Sequence, residues 1–130
     1  MNQYVADTHA LYWYLMASPN LSPAAKAAFD EGLQGQAVIY LPAIVLAELY
    51  YLNKKHGQPI DFSATFSSLQ ASLQFVFVSA EARDVLDFDA DAATPEMHDR
   101  MIVSVTRRLA AMCITRDPQI VNSGLVKTIW

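Results

Sequence analysis

Short apolar runs alternate with helical segments along most of this 130-residue sequence. The runs are rich in β-branched and aromatic residues and are apolar at consecutive positions, which predicts strands buried on both faces. Strands of this kind, separated by helices, favour a mostly parallel sheet that is covered on both sides. The predicted strands are residues 3–6, 37–41, 75–78, 111–115 and 126–129. We therefore expect a three-layer α/β/α fold with a central sheet of four to five strands.

Capping residues and helix breakers delimit the helical segments between these strands. Ser22 followed by Pro23 predicts a helix start, because serine is a favoured N-cap and proline fits the first helical position. Gly32 and Gly35 are expected to end that helix, and Ser79 is expected to cap another. The remaining helices are predicted at residues 8–17, 42–55, 61–73, 79–86 and 96–110, with a short one after Asp117 and a polar loop at 87–95. No repeat or linker interrupts the sequence, so we expect one domain spanning residues 1–130.

The composition predicts a protein that buries more apolar surface than its own core requires. Hydrophobic residues make up 53% of the chain and charged residues only 17%, against typical values near half and about a quarter. This excess suggests an interface with a second subunit or a partner. The formal net charge is −4, so no basic field marks a nucleic-acid-binding surface. Divalent cations held at an acidic site could nevertheless supply the positive charge that such a substrate needs.

Cysteine usage and the first residues favour a reducing, cytoplasmic setting. Cys113 is the only cysteine, so no intrachain disulfide can form. The opening segment, MNQYVADTHALYW, lacks the basic region of a signal peptide. The uncharged run of residues 32–47 contains glutamines and a proline, and is not expected to span a membrane.

Four acidic residues occupy positions from which a parallel sheet would bring them together. Asp7 follows the first predicted strand and Asp117 follows the fourth. Both are expected at the carboxyl edge of the sheet, where α/β proteins bind their ligands. Asp99 lies in the first turns of the helix 96–110, and Glu48 lies in the apolar helix LPAIVLAELYYL.

Each of these acids also has an ordinary structural explanation. Asp7 could cap the helix that begins at Thr8, and Asp117 before Pro118 matches an N-cap with proline at the first helical position. Asp99 could serve the helix macrodipole. Glu48 cannot be a cap in mid-helix, so its alternative is a tertiary salt bridge.

The joint pattern favours a metal site over four unrelated carboxylates. Carboxylates that converge on one crevice repel each other, which raises their pKa values unless cations enter. Oxygen donors with little basic compensation suit Mg²⁺ or Mn²⁺. Such ions activate water and bind the oxygens of a phosphoryl group during transfer.

In sequence order, these motifs resemble those of a known family. Asp7-Thr8 follows the first strand, and Glu48 lies in LAELYYL. Asp99-Arg100 lies in MHDRMIVSVTRRL, and Asp117 lies in ITRDPQI. Together they resemble the PIN-domain family of metal-dependent ribonucleases, and more narrowly its VapC-type toxins of type II toxin–antitoxin pairs. The resemblance extends from the first strand to the terminal VKTIW.

This resemblance implies an endoribonuclease that acts as a toxin. Its metal-ligand core would be Asp7, Glu48 and Asp99, and Asp117 would complete the acidic cluster directly or through water. One or two Mg²⁺ or Mn²⁺ ions would activate a water for in-line attack on an RNA phosphodiester, leaving a 5′-phosphate and a 3′-hydroxyl. The family also implies a homodimer and inhibition by a small antitoxin bound near the site. Gln119 stands where some relatives carry an additional acid.

Supporting roles are expected for residues beside the four acids. Thr8 and Thr115 would offer nearby hydroxyl groups. Arg100 and Arg116 adjoin two of the acids, and could bind the RNA backbone or pair with the acids. A structural and electrostatic role is favoured for Arg100, and the role of Arg116 stays open. His98 is either a contact for substrate phosphate or an ordinary surface histidine.

Two features of the sequence leave alternatives open. Five aromatic residues cannot all face one core, because adjacent helical residues diverge, so some lie at an interface or are singly exposed. They are Tyr12, Trp13, Tyr14, Tyr50 and Tyr51. The acids themselves would also suit a non-catalytic binding module of the same fold, or a phosphatase or phosphotransferase that uses Asp7 as its nucleophile.

Overall fold

The computed structural model describes residues 1–90 and 93–130. Within these ranges the strands are β1 (Asn2–Ala6), β2 (Ala37–Pro42), β3 (Phe75–Val78), β4 (Met112–Ile114) and β5 (Thr128–Ile129). They form one sheet in the order β3-β2-β1-β4-β5, and every neighbouring pair is parallel. The predicted α/β class is confirmed, and the described sheet is wholly rather than mostly parallel.

Six α-helices connect and cover these strands in the described part of the chain. They are α1 (Thr8–Leu15), α2 (Pro23–Leu33), α3 (Ala43–Lys55), α4 (Phe62–Ala71), α5 (Met97–Arg108) and α6 (Pro118–Val121). Ser22 caps α2 as predicted, because its hydroxyl accepts the Ala25 backbone N–H at 3.1 Å. Gly32 lies inside α2 instead of ending it. A Cβ added at this position would lie only 2.7 Å from the Ile39 side chain, so the close packing favours glycine. Gly35, with a φ of +74°, follows the helix end.

The helix predicted for residues 79–86 is wrong in both type and cap. The segment forms a short 3-10 helix, Ala82–Val85, whose N-cap is Glu81 and not Ser79. The Asp84 carboxylate accepts the Glu81 backbone N–H at 2.8 Å, and Arg108 of α5 donates to both oxygens of that carboxylate. This ion pair fixes a tight turn where the sequence suggested a regular helix. The predicted loop 87–95 includes residues 91 and 92, which lie outside the described residues.

Helices cover the sheet on both faces. Tyr4, Val5 and Ala6 are consecutive in β1 and are at most 2% exposed. Because successive strand residues point to opposite faces, this burial requires packing on each side of the sheet. Ile102 and Val103 of α5 are likewise fully buried. The observed arrangement therefore matches the predicted layering of helices around a central sheet.

The aromatic residues of α1 and α3 divide between interior and surface. Tyr14 stacks on the buried Phe29, with ring centroids 4.3 Å apart, and Tyr12 is buried. Tyr50 and Tyr51 of α3 are 40% and 71% exposed. Their use in an interface stays a prediction.

The strand order creates a crevice between β1 and β4. The chain proceeds from β1 through β2 to β3 on one side, and returns to the other side of β1 with β4. Ligand sites of open α/β sheets lie beyond the strand carboxyl ends at such a switch point. The Asp7 backbone N–H donates to the Ile114 carbonyl at 3.1 Å, so the segments that follow β1 and β4 lie side by side. No helix in residues 1–90 or 93–130 is long and apolar enough to cross a membrane.

Candidate active site

Asp7 directly follows β1, and both of its carboxylate oxygens accept hydrogen bonds. The Thr8 backbone N–H donates to Oδ1 at 2.7 Å, so Asp7 does cap α1. The Thr115 hydroxyl donates to Oδ2 at 2.7 Å. The side chain is buried, and this burial raises the pKa of the Asp7 carboxyl despite the two hydrogen bonds. The cap therefore also fixes a desolvated carboxylate at the mouth of the crevice.

Asp117 follows β4 and is joined to Asp7 through one threonine. Its backbone N–H donates to the Thr115 hydroxyl at 3.0 Å, and this is the same hydroxyl that donates to Asp7. Its Oδ1 accepts the Gln119 backbone N–H at 2.9 Å, with Pro118 in the first turn of α6. The predicted cap is present, and it leaves Oδ2 without a hydrogen bond from any described residue.

Glu48 approaches the crevice from α3. The Thr8 hydroxyl donates to its Oε1 at 3.0 Å, and its Oε2 lies 3.5 Å from His98 Nδ1. Burial raises the pKa of the Glu48 carboxyl, and the charges of Asp7 and Glu96 add to the rise. No lysine or arginine of the described chain pairs with it, so the alternative of a tertiary salt bridge reduces to the contact with His98.

Asp99 is the least compensated of the four acids. It lies in the first turn of α5, where its backbone N–H donates to Glu96 Oε2 at 2.8 Å. Its carboxylate accepts no hydrogen bond from the described residues. Burial, followed by the charges of Asp117, Asp7, Glu96 and Glu48, raises its pKa to about 7. At neutral pH this carboxyl is therefore close to half protonated when no cation is bound.

The two arginines next to the acids do not neutralise them. Arg100 Nε donates to the Thr94 carbonyl at 2.7 Å, which secures the segment before α5. Arg116 packs its guanidinium over the Trp13 ring, at 4.3 Å from the centroid, and lies 5.9 Å from the Trp130 centroid. Neither forms an ion pair with a described carboxylate. Arg100 thus contacts the backbone before α5 and no described carboxylate, and its role at the site stays a prediction.

All four acids line one cavity of about 450 Å³. Other residues on its wall were not predicted from the sequence to belong to the site, notably Tyr51, Leu52 and Lys55 of α3. With Glu48 they occupy positions i, i+3, i+4 and i+7 of one helix, which is the spacing of a single helical face. Counting helical periodicity from Glu48 in the sequence could therefore have identified these three residues.

The donor set fits a hydrated divalent cation by its chemistry. As they stand, no three His, Cys, Asp or Glu side chains of the described chain converge on a single point for an ion. Hydrogen bonds from described residues engage both oxygens of Asp7 and one oxygen of Glu48. Magnesium keeps several waters and requires only one or two direct carboxylates, so it does not need three carboxylates that converge on one point. Burial, and after it the charges of the neighbouring acids, raise the pKa of Asp99, and a bound cation would oppose both effects.

Comparison with known proteins finds one matching family model and several solved structures with a similar fold. The family model described as PIN domain matches residues 4–123. VapBC2 from Rickettsia felis, solved bound to a DNA fragment from its promoter, is similar with a TM-score of 0.72 and 14% identity, over 97% of this chain and 96% of that chain. FitAcB from Neisseria gonorrhoeae is similar with a TM-score of 0.64 and 16% identity, over 96% and 95%. None of the curated proteins compared matches the sequence.

At these identities the solved structures establish the shared fold, and the family model adds a match in sequence. That match begins in β1, ends just after α6, and includes all four acids of the cavity. The chain belongs to the PIN domain family.

Proposed function

We propose that this protein is a Mg²⁺- or Mn²⁺-dependent endoribonuclease that acts as the toxin of a toxin–antitoxin pair. The observation that carries the proposal is the Asp99 carboxylate, which faces four acidic neighbours and has no basic partner among the described residues. An uncompensated acidic cleft is costly in free energy unless a cation enters it. Its position at the switch point of a parallel sheet is where such folds bind ligands.

In this proposal Asp7, Glu48, Asp99 and Asp117 hold one or two ions. A bound divalent ion lowers the pKa of water and stabilises charge on a phosphoryl oxygen. Thr115 and the Thr8 backbone N–H fix both oxygens of Asp7, and so reduce the reorganisation that binding requires. The Thr8 hydroxyl orients Glu48 in the same way. Asp99 would hold the ion in its deprotonated form, so its proton would be released to solvent on binding.

Assignment to a toxin–antitoxin pair is supported by the similar structures. VapBC2 from Rickettsia felis and FitAB, the latter bound to an IR36 DNA fragment, are named as two-component assemblies. We infer a cognate antitoxin for this chain, an RNA substrate, a homodimer and a cytoplasmic location. The exposed side chains of Tyr51, Leu86 and Met97, and the apolar composition, are consistent with protein interfaces.

The direct test is cleavage of a structured RNA mixture by the purified chain. We expect endonucleolytic products with Mg²⁺ or Mn²⁺, none with EDTA, and loss of at least about a hundredfold in rate for Asp7→Asn and for Asp99→Asn. Asp89→Asn is the matched control, because it removes an exposed acid outside the cavity. Full activity of both cavity variants would refute the site. Absence of cleavage together with absence of Mn²⁺ binding would favour a non-catalytic module.

The alternative in which Asp7 attacks phosphorus as a nucleophile has less support. Both of its oxygens already accept short hydrogen bonds, and the side chain is buried. A carboxylate restrained in this way is suited to orient a cation and poorly placed to form a covalent bond. Turnover of a small phosphate ester without RNA cleavage would reverse this preference.

A further inference from the structure

A second cavity, of about 410 Å³, adjoins the acidic one. Both cavities are lined by Asp7, His9 and Asp117, so these three residues form a shared boundary between them. The second cavity has aromatic walls supplied by Trp13 and Trp130. Its volume falls in the range of roughly 300–1,000 Å³ that small-ligand sites occupy.

Arg116 and the two tryptophans form a layered wall in this cavity. The guanidinium lies 4.3 Å from the Trp13 centroid, and the two indole rings meet edge to face with centroids 5.7 Å apart. Arg116 is exposed, and its contacts within the described chain are these two rings. Planar guanidinium and indole groups are the surfaces on which unpaired bases stack in RNA-binding sites.

The charges of the cavity favour an uncharged planar ligand. Asp7 and Asp117 repel an anionic group, whereas Arg116, which lines the same cavity, repels a cation. A nucleobase carries no charge, presents a flat face and has polar edges. The phosphates on either side of such a base would lie outside this cavity, one of them towards the acidic cleft.

We propose that the Trp13–Arg116–Trp130 cavity receives one unpaired base of the RNA strand, next to the phosphate held at the acidic cluster. This inference rests on the proposed ribonuclease function and extends it to the choice of substrate. A base reaches such a cavity only when it is unstacked and splayed from its neighbours. The expected substrate is therefore a single-stranded loop or linker, and not a continuous duplex.

The chain carries its own probe for this test. Both tryptophans of the chain, Trp13 and Trp130, line this cavity, so intrinsic tryptophan fluorescence reports on this site. The full chain in EDTA at low salt is titrated with a mixed-sequence pentaribonucleotide, and with a ribose-phosphate backbone of the same length that lacks bases. We expect quenching by the oligonucleotide and little by the abasic backbone. Equal quenching by both would identify a phosphate site and overturn the proposal.

Substitutions then separate stacking from charge. Trp130→Leu is expected to weaken binding of the labelled pentamer about tenfold, and Trp130→Phe less, because phenylalanine keeps a flat face. Arg116→Lys keeps the charge but not the plane and is expected to lose affinity, which also keeps the test decisive if Trp130→Leu does not fold. Tyr50→Leu, an exposed aromatic of α3 outside both cavities, is the control. Unchanged affinity for the pentamer in all the cavity variants would overturn the proposal.

Binding in EDTA is independent of hydrolysis, so the two proposals fail separately. Base-dependent quenching in a chain that never cleaves RNA would refute the nuclease and leave the base site. Metal-dependent cleavage without base-dependent quenching would refute the base site and leave the nuclease.

Discussion

The Thr115 hydroxyl donates to Asp7 Oδ2 at 2.7 Å and ties the end of β4 to the end of β1. The Thr115 hydroxyl oxygen also accepts the Asp117 backbone N–H at 3.0 Å. One fully buried side chain therefore positions two acids from different strands. The Asp7 carboxylate that it holds is itself buried.

Thr115→Val should show how much the hydrogen bond between Thr115 and Asp7 contributes to stability and to metal binding. Valine matches threonine in shape but leaves the buried Asp7 oxygen without its donor, which costs about 1–3 kcal/mol. We expect a lower free energy of unfolding in urea, and weaker Mn²⁺ binding because Asp7 is no longer oriented. Thr115→Ser, which keeps the hydroxyl, is the control. Equal stability of the valine variant and the native chain would show that the bond is not needed.

Asp99 should make the metal-free protein less stable as the pH rises. Its pKa is about 7 in the folded chain, against about 3.9 for an unperturbed aspartate. Between these values the folded state binds more protons than the unfolded state, so the free energy of unfolding falls with increasing pH. Asp99→Asn removes this contribution, and in EDTA its stability advantage over the native chain should grow from pH 4 to pH 8. Thermal melts across that range measure it.

The same group predicts how metal affinity depends on pH. A cation must displace the proton of Asp99, so Mn²⁺ affinity should rise through pH 7 and level off above it. Calorimetric titration at several pH values also reports the proton released on binding. An affinity independent of pH between 6 and 8 would remove Asp99 from the ligand set.

Asp84 and Arg108 form an ion pair whose role is in stability and not in the site. Arg108 Nε lies 2.8 Å from Asp84 Oδ1, and the Asp84 side chain is 2% exposed. Burial alone would raise the pKa of Asp84, but the hydrogen bonds and charge of Arg108 outweigh it and leave the pKa lowered. The stability that this aspartate contributes is therefore present above its unfolded pKa and is lost as the pH falls, the opposite of Asp99.

Arg108→Met should destabilise the fold by about 3–5 kcal/mol, because it leaves a buried charge without a partner. Adding Asp84→Leu should recover part of the loss, since the unpaired carboxylate is then gone. Arg83→Met is the control, because Arg83 is exposed and its pairing with Glu81 is worth little. Denaturant unfolding of the single and double variants gives the coupling. A double variant less stable than Arg108→Met would contradict this account.

The placement of Asp7 and Asp117 at one edge of the sheet followed from sequence because topology alone produces it. Asp7 and Asp117 follow strands, and a parallel sheet places the carboxyl ends of all its strands at one edge. Position in the chain was enough for this step, and no knowledge of side-chain rotamers was required.

The contacts that orient these acids did not follow, because they depend on residues far apart in the chain. Thr115 was expected to be near the cluster, but its two hydrogen bonds, one donated to Asp7 and one accepted from the Asp117 backbone N–H, are visible only in the structure. Arg116 adjoins Asp117 in sequence, yet it turns to Trp13 and Trp130. Likewise, the 3-10 helix exists because Arg108 reaches back across 24 residues to Asp84. Local propensity contains none of this information.

Lys55 should contribute to RNA affinity without contributing to metal binding. It lines the acidic cavity from the same face of α3 as Glu48, two helical turns away. A lysine there attracts the phosphate backbone, so Lys55→Gln should weaken binding of a short RNA and reduce the slope of log affinity against log salt by about 1. The same change removes a repulsive charge from the cavity, so Mn²⁺ affinity should stay equal or rise.

Lys54→Gln is the matched control for that experiment. Lys54 is the adjacent residue, carries the same charge, and lies over the Tyr50 ring at 5.3 Å instead of lining the cavity. Anisotropy titrations of both variants at several salt concentrations separate a local contact from a general loss of positive charge. If the two variants lose the same affinity and the same salt slope, the RNA does not pass over this face of α3, and the path of the strand must lie elsewhere.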